Sequence, residues 1–197
     1  MIIDTSYFTG ELAIPNLNDA GTKATIEADI EFYETEILKD LFGYQLYSDY
    51  TTGIAEESPL SKWTDIRDGA EFSFDFGGKT ITKKWIGFTN SELKSLLAYY
   101  TYANHVNRIT QSLTANGIVE PQVENARRAQ NSMKVVRAWN RFIEQYGEVP
   151  NGFSGYNDSH YVHYDDRPNI YNFLVANSDD YDDWIFTRRG NINVFGF

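Results

Sequence analysis

The chain has 197 residues, enough for one domain with an appendage, and its 42% hydrophobic and 16% aromatic content rules out wholesale disorder. A formal charge of -11 argues against tight binding to a phosphate backbone, which needs clustered Lys and Arg. The absence of Cys removes disulfides, thiolate metal sites and Cys nucleophiles together.

Residues 1–21 form an N-terminal arm in which short apolar patches are broken by Gly10, Pro15, Asn16 and Gly21. There is no basic leader, and no run approaches the roughly 18 apolar residues of a membrane span. The expected setting is therefore the cytoplasm, or something assembled there, with no membrane. From Thr22 an amphipathic stripe runs through Ile26, Ile30, Tyr33, Ile37, Leu41 and Tyr44, predicting a long helix that ends near Gly43. "YQLYSDY" predicts a short second helix. In "ESPLSKWTDIRDG", Ser58 reads as N-cap and Pro59 as first helical residue, with Leu60, Trp63 and Ile66 on one face.

The period then switches to two. Phe72, Phe74 and Phe76 alternate with polar residues, Gly77-Gly78 turns the chain, and Ile81 and Trp85 return, predicting a β-hairpin near 70–86. A lone hairpin is marginal in water, so its Phe face must lie on helices or on a neighbouring subunit. A long helix from Thr89 follows, with Thr89 and Glu92 spaced as a capping box and Leu93, Leu96, Leu97, Tyr100 and Ala103 inward. His105, among Asn residues on this helix, reads as a surface or interface residue. Asn116-Gly117 and Pro121 mark a loop. The last long helix, about 123–146, carries Ala126, Ala129, Met133, Val136, Trp139, Phe142, Ile143 and Tyr146 inward and stops at Gly147.

The helical body thus spans 22–147, and 148–197 reads as a long irregular C-terminal tail. The fold class is mainly α, a small helical bundle with one inserted β-hairpin. The tail's rings and aliphatic groups fall short of offsetting the entropy of ordering it, so it is expected to need another surface, as is the N-terminal arm.

Few patterns carry chemistry. His160 and His163, with Asp158, Asp165 and Asp166 nearby, have metal-ligating types, but outside a helix their spacing fixes no ligand geometry and an ordinary polar loop is favoured. Asp179 to Asp183 lack the glycine and distal Glu of a calcium loop. No nucleophile elbow, P-loop or dinucleotide fingerprint is present, so neither catalytic residues nor cofactors are expected. Arg127, Lys134, Arg137 and Arg141 make a basic stripe on the last long helix. It suits a solvated face paired with Glu124 and Glu144, docking on an acidic surface, or DNA.

Three stretches, "YETEILKDLFGYQLYSDY", "SELKSLLAYYTYANHVNR" after the hairpin, and "NSMKVVRAWNRFIEQYG", resemble the head-to-tail connector (adaptor) proteins of tailed bacteriophages, of the type found in Bacteroidetes phages and the crAss-like group. The resemblance implies a non-enzymatic virion protein of the neck. It implies a homo-oligomeric ring, commonly dodecameric, below the portal protein and above other neck and tail proteins. Genomic DNA would pass through without specific binding, and the acidic balance is compatible with that. Expected subunit or partner contacts are Phe72, Phe74, Phe76 and Trp85 on the hairpin and Arg127, Lys134, Arg137 and Arg141 on the helix. In the tail they are Trp184, Phe186, Arg188, Arg189, Phe195 and Phe197. The rivals are a Tyr-rich module binding peptide or glycan, and a metal-dependent hydrolase built on His160 and His163.

Overall fold

The computed structural model describes residues 1–76, 78–109, 112–114, 117–119, 131–147, 168–181 and 183–190. The chain is mainly helical with an inserted antiparallel hairpin. In order, α1 is Ala20–Ile54, α2 Ser61–Asp68, β1 Glu71–Phe76, β2 Lys79–Lys84, α3 Leu96–Ile109, β3 Ser112–Thr114, β4 Gly117–Val119, α4 Asn131–Tyr146 and α5 Ile170–Ala176.

Asp19 starts α1 by accepting from the backbone N–H groups of Gly21 and Thr22, at 3.0 and 3.1 Å. Ile26, Ile30, Ile37 and Leu41 are buried, as their spacing requires. The stripe ends there, because Gly43 sits at φ 75°, ψ 172° and splits α1 into two helical runs. Tyr44, expected on the inner face, is turned out and 80% exposed. Leu46 and Tyr50 carry the buried face onward.

Leu60, not Ser58, precedes α2 and is exposed, so only Trp63 and Ile66 of that predicted face are buried. After α2 the chain crosses itself backbone to backbone. A Cβ on Gly69 would lie 2.4 Å from the Trp85 carbonyl oxygen, and one on Gly87 2.4 Å from the Asp68 carbonyl carbon, so glycine is needed on both sides. The hairpin between them pairs Glu71 with Lys84 through to Phe76 with Lys79.

Helix α3 begins seven residues later than the predicted start. Leu93 adopts φ 56°, and Ser95 caps instead, its hydroxyl accepting from Leu97 N–H at 3.2 Å. Thr89 bonds Asp68 at 2.7 Å and Glu92 bonds Lys94 at 2.8 Å, so the capping box is not formed. Eight consecutive residues from Leu96 to Ala103 are buried, which marks α3 as the central helix. It packs against both α1 and α4.

The expected loop after α3 contains a short second ladder, Ser112 with Val119 to Thr114 with Gly117. On α4 the buried line runs through Val135, Ala138, Phe142, Ile143 and Tyr146. That is one position off the prediction at its start, leaving Met133 45% exposed.

The N-terminal arm and, among the described residues of the tail, the segment 168–181 bury apolar groups on the chain's own body. Ile3, Tyr7, Phe8 and Leu12 of the arm are in the core. In the tail, Asn169 caps α5, accepting from Asn172 N–H at 2.8 Å, and Ile170, Phe173 and Leu174 are buried.

Candidate interaction surfaces

The break at Gly43 creates a backbone site. A helix that stops leaves its last carbonyls without partners, and three of those near Gly43 are taken by the returning tail. Ile185 N–H donates to the Phe42 carbonyl at 3.2 Å and Thr187 N–H to the Asp40 carbonyl at 2.8 Å. Trp184 Nε1 donates to the Leu41 carbonyl at 2.7 Å. The segment 184–190 is fixed from its other flank by α4. Tyr146 donates its hydroxyl to the Thr187 carbonyl at 2.6 Å, and Trp139 Nε1 donates to the Gly190 carbonyl at 2.8 Å. Phe186 packs between Tyr146 and Tyr171, both at 4.8 Å between ring centres.

Arg189 closes this clasp. Its guanidinium bonds Asp40, lies 3.8 Å from Glu36 and stands over the Tyr100 ring. Burial is the largest single influence and opposes the charge, but the Asp40 bond and the charge interactions with Tyr100, Asp40 and Tyr146 together hold the guanidinium above its ordinary pKa. Tyr100 donates to Glu36 at 2.5 Å, and burial followed by that bond pushes its hydroxyl well up.

The N-terminal arm is held differently. Glu34, 7% exposed, accepts from Ile2 N–H at 2.7 and 2.9 Å and from Ile3 N–H at 3.3 Å. Burial raises its pKa, and the two backbone donors pull it back in part. Farther along the arm, Tyr99 donates to Glu11 at 2.6 Å and Asn90 N–H donates to Tyr7 at 3.2 Å.

A buried ionic cluster escaped the sequence reading. His105 is 3% exposed, and its Nδ1 lies 2.6 Å from Asp29 Oδ2, which also accepts from Arg108 at 2.6 Å. His105 is therefore a core residue, which corrects its placement at the surface. The signal was available: Ala98, Tyr102 and His105 follow each other by four and three residues, and Asp29 falls three residues after Ile26. An acid on a buried face requires a partner.

The residues expected to meet other subunits divide into groups. Phe72 and Trp85 are taken up by the chain's own core: Phe72 meets Phe173 edge-on at 5.8 Å, and Trp85 Nε1 donates to the Ile66 carbonyl at 2.8 Å. Phe74 is half-buried and stacked on Phe72. Trp184, Phe186 and Arg189 contact α1 and α4 of their own chain, as above, and Arg188 is exposed. Lys134, Arg137 and Arg141 are exposed on α4, and Arg141 pairs with Glu144 at 2.8 Å. Arg127, Glu124, Phe195, Phe197, His160, His163 and their neighbouring Asp residues lie outside the described residues, as does the side chain of Phe76. Among the described residues no cluster of three His or acidic side chains is placed to hold a metal, and no helix is long and apolar enough to cross a membrane.

These features define a class: a helical body in which the N-terminal arm and the segment 184–190 are both clasped onto one kinked helix. Residues 38–141, just over half of the chain, match a family of unknown function, DUF6712, and the chain belongs to that family. No curated protein and no solved structure matches it.

Proposed function

We propose that this chain is a structural virion protein of the head-to-tail connector of a tailed bacteriophage. It forms an oligomeric ring in the neck, extends the DNA channel below the portal and joins the portal to the tail. It acts by assembly, with no catalytic residue and no cofactor. One observation carries the proposal: the three stretches that resemble connector proteins contain most of α1's second half, α3 and α4, the helices that build the body, with α3 packed on both others. The likeness therefore covers a packed core rather than scattered patches. The acidic balance supports passage of DNA without retention.

The rival module with a Tyr-rich ligand surface would draw on the described part of the tail. Yet Tyr171, Trp184 and Phe186 are packed on one another and on Tyr146, so they are not offered to a ligand.

Electron microscopy of particles carrying the protein tests the proposal: ring density at the neck is expected, and particles that lack the protein would refute it. Truncation sharpens the test. Removing residues 185–197 deletes the clasp on α1 and damages the body itself. Ending the chain after Gly190 keeps every contact described above while removing Ile192, Val194, Phe195 and Phe197. That shorter truncation is expected to leave thermal unfolding unchanged and to abolish incorporation into particles.

A further inference from the structure

Among the described residues, the basic side of α4 is only partly paired. Lys134 and Arg137 are both exposed and three residues apart, hence neighbours on one helix face. Arg141 is occupied by Glu144. Lys134 and Arg137 have no ion-pair partner among the described residues, in a chain carrying 28 acidic residues against 17 basic ones. They border a groove of about 180 Å³ whose other wall is the turn Gly10–Leu12, with Ala138 also lining it. Leu12 and Ala138 are buried, so the groove has an apolar floor. Its one acidic lining residue, Glu11, accepts the Tyr99 hydroxyl. Among the described residues the groove thus sets two exposed cations, Lys134 and Arg137, against one carboxylate, Glu11, which is already bonded to Tyr99.

The complementary surface is on the same molecule but elsewhere. After α5 the chain makes a single turn of 3-10 helix, Ser178–Asp180, and Asp179, Asp180 and Asp183 are exposed. The turn is held in place. Tyr181 is buried, meets Trp63 and donates its hydroxyl to the Lys62 carbonyl at 3.0 Å. Lys62 Nζ donates to the backbone carbonyl of Asp180 at 3.1 Å, not to a carboxylate. The turn is tied to α2, whereas the slot lies between the N-terminal arm and α4, and the two share no residue.

We propose that the acidic turn of one copy, presenting Asp179, Asp180 and Asp183, docks in the Lys134–Arg137 slot of the next. Two different surfaces meeting in this way make a head-to-tail contact, which leaves one slot and one turn open on every pair. Such a contact propagates and closes only as a ring. The proposal rests on the ring-subunit reading above and supplies the surfaces by which copies would meet.

The cysteine-free background makes the test direct. The full-length double variant Arg137→Cys/Asp180→Cys, oxidised at neutral pH, is expected to give a ladder of dimers, trimers and larger species on non-reducing gels that collapses with reductant. An equimolar mixture of the two single variants is expected to stop at dimers. In parallel, Lys134→Glu/Arg137→Glu and Asp179→Lys/Asp180→Lys are each expected to lose self-association by sedimentation, and mixing them to restore a 1:1 pair. All four positions are exposed, so circular dichroism should be unchanged. A double variant that stays monomeric overturns the contact. So does equal cross-linking of Arg137→Cys to a control cysteine at exposed Glu57, or a slot-reversed variant that self-associates normally and loses only DNA binding. The two ideas fail separately. A neck ring without the ladder removes this contact and keeps the function, whereas a ladder with no protein in particles does the reverse.

Discussion

The N-terminal arm and the segment 184–190 lie on the same helix yet are held by opposite means. The N-terminal arm is fastened by a side chain: one buried carboxylate, Glu34, gathers the N–H groups of Ile2 and Ile3. The C-terminal segment is fastened by backbone: the carbonyls released where Gly43 interrupts α1 receive Trp184, Ile185 and Thr187. The first clasp depends on a group that titrates. The second depends on a conformation that only glycine adopts at low cost. A chain needing two ends at defined places on one scaffold can thus make one responsive to its surroundings and the other indifferent to them.

The largest expected effect breaks the backbone clasp. Gly43→Ala places a Cβ at positive φ and within 2.9 Å of the Ile185 Cβ. The strained backbone and lost contacts together should cost about 3 kcal/mol. Urea unfolding gives the total, and amide exchange locates it. Protection should fall at Ile185 and Thr187 and persist at Ile2 and Ile3. Equal loss at both ends would show that the clasps form one cooperative unit rather than two.

A smaller effect is expected from Arg189→Lys, which keeps the charge but loses the planar group lying over Tyr100. The site is partly exposed, so solvent screening limits the loss to about 1 kcal/mol. Thermal unfolding would read it. A loss as large as that of Gly43→Ala would move the weight of the clasp from backbone to side chain and undo the contrast drawn above.

How much of this was legible in the sequence follows from the kind of interaction involved. Helix faces and the hairpin were readable because period 3.6 and period 2 are local. Ile26, Ile30, Ile37 and Leu41 on α1, and Phe72 on β1, needed no tertiary information. The start of α3 was misplaced because Thr89 and Glu92 fit a capping box by spacing, while long-range bonding to Arg67 and Asp68 claims Thr89 in the folded chain. Tyr44 was misassigned for a related reason. A helix end near Gly43 and a second helix in "YQLYSDY" were expected, but not that the second run starts with Tyr44 turned outward. The partner surfaces were least legible. Trp85, Trp184 and Arg189 have the composition of interface anchors, and composition does not say whether the surface they cover belongs to another molecule. Their acceptors, on Ile66, Leu41 and Asp40, are 19, 143 and 149 residues away.

The smallest effect isolates the titrating clasp. Burial raises the pKa of Glu34 above its ordinary 4.5, and the Ile2 and Ile3 donors offset only part of that. The folded state therefore takes up this proton at higher pH than the unfolded chain does. Between the raised value and about 4.5 the folded state carries more protons, so Glu34's contribution to stability rises as pH falls and is lost again as pH rises through the window. Glu34→Gln removes that dependence while retaining a carbonyl acceptor for the arm. The difference in urea unfolding free energy between wild type and variant should move in favour of wild type on acidification from neutral pH to about 4.5, because the other carboxylates cancel in the subtraction. A difference that is flat with pH would mean that the N–H bonds from Ile2 and Ile3 fully balance burial. A difference of opposite sign would mean that they outweigh it, so that acid loosens the N-terminal clasp while leaving the backbone bonds at Gly43 in place.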